Sequence, residues 1–438
     1  MTIDSILQSF QHLGINLGLE RTEQLLAKLG NPQESVPIIH VAGTNGKGSV
    51  CAYLSSVLTA SGYCVGRYTS PHLVDWTETI CLNEQPIASE TLQELLLKIQ
   101  GAIEPNQESP TQFEVITAAA WLYFAQCQVD IAVIEVGLGG RLDTTNVCSN
   151  PLVSVITSLS REHWQIIGPE LKDIAKEKAG ILKANCSAVI GVLPSVAKEV
   201  VEEEVKKLNC PTVWVQPAQE ITLENGMRGA IYEGINYPLP LQGEIQLTNS
   251  AIAIAALRVL QSKGWQIPLT AIQQGMEKTS WPGRLQWLNW RGENILIDGA
   301  HNKAAAESLR QYVDSLEVEI TWVMGMLTTK DHGDIFQVLL RPQDQLYLVP
   351  IMGRNSANPE TLASLAKEVC PNLKDCQTFS NLISALETAL KISNKPKKLV
   401  VLCGSLYLIR KLLKLYQTRG GELGSYGLQQ PCRETTRK

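Results

Sequence analysis

Apolar and polar positions change spacing in blocks along the chain, and the blocks predict strands alternating with helices. Ile38, Ile39 and Val41 form a short β-prone run, and beyond a glycine-rich stretch the apolar positions Ala52, Leu54, Val57 and Leu58 fall at helical spacing. The same reading places strands at 63–68, 129–137, 152–158, 187–192 and 212–215, and a β-meander at 221–238. Helices fill the intervals: within 1–30, from 111 through Phe124, 169–180, 195–208, 250–262 and 269–278. At Ile295 a second alternation begins, with helices at 303–316, 359–369, 380–392 and 405–417 and strands at 319–325, 345–351 and 398–403. Repeated strand and helix imply parallel sheets with crossover helices. The expected fold is α/β: an N-terminal mononucleotide-binding domain at 1–288, a smaller Rossmann-like C-terminal domain at 289–418, and a flexible tail at 419–438. The joint is read from Trp281, Pro282, Gly283 and Arg284 and the polar turn Trp290–Glu293.

The glycine-rich stretch is Gly43, Thr44, Asn45, Gly46, Lys47, Gly48 and Ser49, between the first strand and a helix. Glycines let successive N–H groups converge on one point, the helix N-terminus adds positive potential, and Lys47 adds a full charge. Together they form a seat for triphosphate oxygens. The spacing departs from the usual P-loop: Val41 stands where the first glycine would be, Gly48 follows the lysine, and the hydroxyl comes one residue late at Ser49. The alternative is an ordinary turn before a helix, which gives no reason for the lysine and hydroxyl.

Further candidates sit where predicted strands end, the edge at which α/β sheets bind ligands. Ser70 follows the strand at 63–68, Glu135 closes the run at 129–137, and His163 lies in the loop after 152–158. Each has a plainer reading: a turn hydroxyl before Pro71, an ion pair between Glu135 and Arg141, and a solvated histidine. Thr111 and Glu114 fit a capping box as well as a ligand contact. Lys178 fits a helix ion pair, and Thr248 or Asn249 a helix N-cap. Asp298 ends the first strand of the second alternation, and Arg284 at the joint suits a phosphate or carboxylate.

Composition narrows the function. Of 438 residues 44% are hydrophobic and 18% charged, with net charge −5, so a basic footprint for nucleic acid is missing. Eleven cysteines without a C-x-x-C pair point to reduced thiols. The N-terminus shows no basic segment followed by an apolar run, and no stretch reaches the roughly 18 apolar residues of a membrane span. A cytoplasmic protein without nucleic-acid or membrane partners is expected.

The segments HVAGTNGKGSV, YTSPHL, TQFEVITAAA, IEVGLGGRLDTTNV, EKAGILK, TNSAIAIAAL, PGRLQ and LIDGAHN occur in this order across roughly residues 35 to 305. In them the chain resembles the folylpolyglutamate synthase/dihydrofolate synthase family, the folate branch of the Mur ligases. The resemblance implies an ATP-dependent ligase that joins L-glutamate to dihydropteroate, and to reduced folates, through an acyl phosphate. It implies phosphate contacts at Thr44, Asn45, Gly46 and Lys47, Mg²⁺ ligands at Ser70, Glu135 and His163, and nucleotide contacts at Asn249, Arg284 and Asp298. Pterin contacts fall at Thr111, Gln112, Phe113, Glu114 and Leu142, and Lys178 matches the family's carbamylated lysine, which makes Lys47, Lys178 and His163 the expected catalytic set. A monomer is the family's common form. One departure is Ser160-Arg161-Glu162-His163, where the family usually has Asp before the histidine. Two rival readings are a cell-wall Mur ligase, for which the roughly 35 residues before the loop are short, and a P-loop NTPase without ligase activity.

Overall fold

A computed structural model of the chain describes residues 2–10, 14, 16–104, 108–393 and 397–418, with backbone alone at 392 and 393. The tail expected at 419–438 lies outside the described residues. The chain divides into two compact units, Met1–Pro240 with Ile245–Thr279, and Leu241–Glu244 with Ser280–Lys438.

The stretch 36–42 is apolar apart from His40, and its strand β1 (Ile38–Ala42) is buried along its whole length. Burial on both faces is the mark of a central parallel strand. With it run β2 (Val65–Tyr68), β3 (Ile80–Leu82), β4 (Gln85–Pro86), β5 (Ile131–Glu135), β6 (Val153–Ile156), β7 (Ser187–Ile190) and β8 (Thr212–Trp214), in the order β4-β3-β2-β5-β1-β6-β7-β8. The six strands from β2 to β8 in this order are parallel, and β3 and β4 add an antiparallel hairpin. Register aligns the carboxyl ends of the middle strands: Val41 faces Glu135, Ala42 faces Ile156, and Tyr68 faces Ile134. The loops after β2, β5, β1 and β6 therefore emerge side by side.

The helix Lys47–Ala60 follows β1 with ten buried residues from Ser49 to Leu58. Such all-round burial needs cover on more than one side. Helix Leu269–Lys278 comes so close that a Cβ on Gly275 would stand 2.4 Å from the Val57 Cα. Ser56 Oγ seals this contact by donating to the Gly275 carbonyl at 2.7 Å. The expected meander is a separate antiparallel sheet of β9 (Gln219–Thr222), β10 (Arg228–Tyr232) and β11 (Ile235–Pro238).

The second unit holds β12 (Gln286–Trp290), β13 (Glu293–Ile297), β14 (Glu319–Met324), β15 (Gln345–Leu348), β16 (Asp375–Thr378) and β17 (Lys398–Cys403), in the order β12-β13-β17-β14-β15-β16. Only β12 runs antiparallel. The first compact unit ends at Thr279 and the second takes up the chain at Ser280, where the sequence reading sets the boundary at 288. The polar turn read as the joint is a hairpin instead: Arg291 and Gly292, at φ 56° and 90°, make the tight two-residue connection between β12 and β13. A second correction concerns Thr248 and Asn249, which lie inside helix Ile245–Ser262 and cap nothing. Apolar periodicity begins only at Ala251, but the helix extends back through Gln246, whose side chain is buried against the helix that follows β1.

No helix among the described residues is long and apolar enough to cross a membrane.

Candidate active site

β1 passes through Gly43 and Gly46 into the helix at Lys47. Both glycines are required by close approach. At φ 153° a Cβ on Gly43 would meet Thr157 Oγ1 at 1.9 Å, and at φ 86° one on Gly46 would meet Asn249 Oδ1 at 2.4 Å. Neither position has room for a side chain, so neighbouring groups press directly on the loop backbone.

Thr157 belongs to the loop after β6, which laces onto the glycine loop. Thr44 N donates to Ser158 O at 2.7 Å, Asn45 N to Ser158 Oγ at 3.1 Å, and Thr157 Oγ1 to Asn45 O at 2.7 Å. Thr44 Oγ1 donates to Ser160 O and accepts from Ser160 N, both at 3.1 Å. Asn249, buried, approaches from helix Ile245–Ser262 and donates to Gln246 Oε1 at 3.1 Å; Gln246 Nε2 in turn reaches Ser49 Oγ at 3.4 Å. Local sequence signals did not single out Thr157, Ser158, Ser160 or Gln246. A cluster of hydroxyls directly after an apolar strand, Thr157-Ser158 followed by Ser160, was the available clue.

Lys47 Nζ donates to the carbonyls of Gly43 at 3.1 Å and Thr44 at 3.3 Å. Lys178, near the end of helix Leu171–Ala179, is buried and donates to the same Gly43 oxygen at 2.8 Å. This contact, and no helix ion pair, is where the Lys178 ammonium is held. Burial, and then the charge of Lys47, pushes the Lys178 amine down to about 7. The carboxylates of Glu162, Asp143 and Glu177 oppose the shift.

Glu135, buried at the tip of β5, accepts from Ser70 N at 3.2 Å, so these two candidates adjoin across β5 and β2. Arg141 pairs with Glu177 at 2.7 Å, which removes the plainer reading of Glu135 as its partner. His163 is exposed, in the left-handed conformation at φ 52°, and starts the short helix Trp164–Ile167 in the stretch that laces onto Thr44. Among the described residues no group of three His, Cys, Asp or Glu is placed to hold a metal. The candidate set contains only two residues of those types, since Ser70 brings a hydroxyl.

Thr111 and Glu114 form the capping box. Thr111 Oγ1 accepts from Glu114 N at 3.2 Å and Glu114 Oε2 from Thr111 N at 2.6 Å. The fully buried Glu114 carboxylate also pairs with Arg21 at 3.0 Å, a partner from another helix that no local pattern announces. Gln112 and Phe113 stay half-buried. The Phe113 ring lies on Gly137, where a Cβ would meet its Cζ at 2.3 Å, and is tilted 42° to Tyr68 at 6.3 Å. Leu142, half-buried, closes the loop that starts at Gly137.

In the second unit Asp298 accepts from Leu285 N and Ala300 N, each at 2.8 Å. Burial raises its carboxyl above the usual range, against the pull of Arg284, these N–H groups and His301. Arg284, half-buried, lies where a Cβ on Gly299 would meet its Nη1 at 2.4 Å.

Two family models match the chain: the Mur ligase middle domain over residues 41–257, and the dihydrofolate synthetase C-terminal domain over 284–415. The dihydrofolate synthetase of Saccharomyces cerevisiae is 34% identical over 93% of this chain and 99% of its own. Escherichia coli FolC, solved in complex with DHPP and ADP, superposes with a TM-score of 0.82 at 30% identity, covering 95% of this chain and 97% of the other. A bifunctional folylpolyglutamate synthase/dihydrofolate synthase with Mn, AMPPNP and L-glutamate bound gives 0.82 at 28% identity, over 95% and 98%.

Proposed function

This chain belongs to the dihydrofolate synthase/folylpolyglutamate synthase family of ATP-dependent ligases, and from that premise we propose that it joins L-glutamate to dihydropteroate and to reduced folates. The observation that carries the reading is the glycine loop that follows β1, where Gly43 and Gly46 leave no room for a side chain and the Lys47 ammonium is held on the Gly43 carbonyl at 3.1 Å. A side-chain-free loop at a helix N-terminus with a lysine held on it suits negative charge.

The reaction has two displacements. A carboxylate oxygen of dihydropteroate bonds to the γ-phosphorus of ATP, the bond from that phosphorus to the bridging oxygen breaks, and ADP leaves with an acyl phosphate formed. The neutral amine of glutamate then bonds to the acyl carbon, phosphate departs, and the amine gives up a proton as the amide forms. Lys47 and the amides of Gly46 to Ser49 offset charge on the transferred phosphoryl group. Gly46 gives the phosphates access to the backbone, and Asn249 fixes the loop's shape. Within the second unit, Arg284 and Asp298 are the residues we assign to nucleotide.

Ser70 and Glu135 offer oxygen donors and His163 an imidazole, a set that suits Mg²⁺ or Mn²⁺. The buried Glu135 carboxylate, held by the Ser70 amide at the strand tips, supports such a use. A bound divalent ion supplies charge neutralisation on the phosphate oxygens.

Lys178 is proposed to be carboxylated: its neutral amine bonds to the carbon of CO₂ and releases one proton. The product is an anion beside the Lys47 ammonium, so repulsion becomes attraction. Phe113, half-buried beside Gly137 and Tyr68, supports a flat aromatic substrate such as a pterin, and Gln112 and Leu142 are assigned to the same substrate. The plainer role of Thr111 and Glu114 is to fix the start of that helix.

Monomeric and cytoplasmic states are proposed alongside, with no nucleic-acid partner. The test is turnover with dihydropteroate and tetrahydrofolate offered separately, each with ATP and glutamate. Amide product from dihydropteroate supports the reading; ADP release that ignores both acids and glutamate supports an NTPase instead. Product from a UDP-muramoyl substrate alone would place the chain with the cell-wall ligases.

A further inference from the structure

His40 is a lone polar residue in the apolar strand β1 and is completely enclosed. Its Nε2 lies 2.9 Å from Thr145 Oγ1. Thr145 Oγ1 spends its proton on Asp143 Oδ1 at 2.5 Å, so it accepts from the histidine, which therefore carries its single proton on Nε2. The other ring nitrogen, Nδ1, is buried with no hydrogen-bond partner. Burial, with Lys183 nearby, pushes the ring down to about 3, so it stays neutral. A histidine so placed donates one directed hydrogen bond and does no acid or base work.

Asp143 passes that direction on. Besides Thr145 Oγ1 it accepts from Thr145 N at 3.0 Å and, through Oδ2, from Leu138 N at 2.8 Å. Leu138 follows Gly137, on which the Phe113 ring rests. Asn146 closes the far side of the loop by donating to Arg141 O at 3.0 Å and Gly180 O at 3.1 Å. A line of directed bonds thus runs from the strand beneath the phosphate loop to the stretch 137–142.

We propose that His40 is a positioning residue for substrate: through Thr145 and Asp143 it fixes Leu138, and with it the loop and the Phe113 ring that meet the pterin. The inference rests on the pterin reading given above for Phe113 and Leu142. Its mechanism is orientation, since a displaced loop tip misaligns the ring face that the substrate uses.

Thr145→Val keeps the shape and removes the hydroxyl; Thr145→Ser keeps the hydroxyl. In folded protein, Thr145→Val is expected to raise KM for dihydropteroate about tenfold, with KM for ATP and kcat changed less than about twofold. Thr145→Ser restores the wild-type value. Where Thr145→Val does not fold, His40→Gln, whose amide N–H occupies the place of Nε2, is compared with His40→Leu in the same assay. Hydrogen exchange reads the relay without substrate: the Leu138 amide loses protection in Thr145→Val and keeps it in Thr145→Ser. Unchanged Leu138 exchange in a folded Thr145→Val protein, or an equal rise in both KM values, overturns the inference. A wild-type protein that ignores dihydropteroate refutes the pterin reading instead, and the exchange result then stands alone for or against the relay.

Discussion

Lys47 and Lys178 place their ammonium groups on one carbonyl oxygen, that of Gly43, at 3.1 and 2.8 Å. The first belongs to the glycine loop after β1 and the second arrives from a helix far along the chain. With the Lys178 amine held at about 7, carboxylation requires the neutral form and is favoured above that pH. Intact-protein mass spectrometry in dissolved CO₂ at fixed concentration is expected to find one added CO₂ at pH 8 and little at pH 6. Lys178→Met should abolish the adduct and lower ligase turnover by about a hundredfold or more.

The same lysine sets a pH dependence of stability in CO₂-free buffer. Its folded value of about 7 lies below the ordinary 10.5, so between these pH values the unfolded chain binds the proton that the folded chain has released. Stability contributed by this group therefore rises with pH across that window, and below about 7 the full cost of burying the charge is present. Urea unfolding at several pH values should show this rise in wild type and lose it in Lys178→Met.

Gly46 carries both a positive φ of 86° and an approach that a Cβ would violate at Asn249 Oδ1. Gly46→Ala is expected to weaken nucleotide binding by tenfold or more. Adding Asn249→Ala removes the collision but leaves the left-handed backbone, which still costs about 1–2 kcal/mol, so rescue should be partial. Titration with a fluorescent ATP analogue reads both steps.

The buried pair Arg21–Glu114 offers a different balance. Glu114→Ala opens the capping box and leaves Arg21 with Glu108 at 3.5 Å and the Asn16 carbonyl at 2.8 Å, and is expected to cost about 2–3 kcal/mol. Thr111→Ala, which loses only the cap, should cost about 1 kcal/mol. Chemical denaturation separates these; a rise in KM for dihydropteroate at full stability would instead make Glu114 a substrate contact.

The α/β alternation and the glycine loop between β1 and its helix were legible because period and glycine placement are local. Glu135 was legible as the acid that ends an apolar strand. What local pattern misplaced was settled by packing. Asn249 reads as an N-cap because apolar residues begin at Ala251, yet the helix starts earlier to bring Gln246 and Asn249 against Ser49 and Gly46. The Trp290–Glu293 turn reads as a joint because it is polar, and it is a hairpin. Strand β16 (Asp375–Thr378) escaped notice because it is a polar edge strand without an apolar run. The pairs Arg21–Glu114 and Lys178–Gly43 join residues 93 and 135 positions apart, and no window of sequence contains both partners.

The transfer of phosphorus from ATP to the acid is tested most directly with dihydropteroate labelled by heavy oxygen in its carboxylate. After turnover with ATP and glutamate, one heavy oxygen per product is expected in the released inorganic phosphate, since the attacking oxygen leaves with phosphorus when the amine arrives. Phosphate free of the label, with dihydrofolate still formed, would contradict the acyl phosphate account.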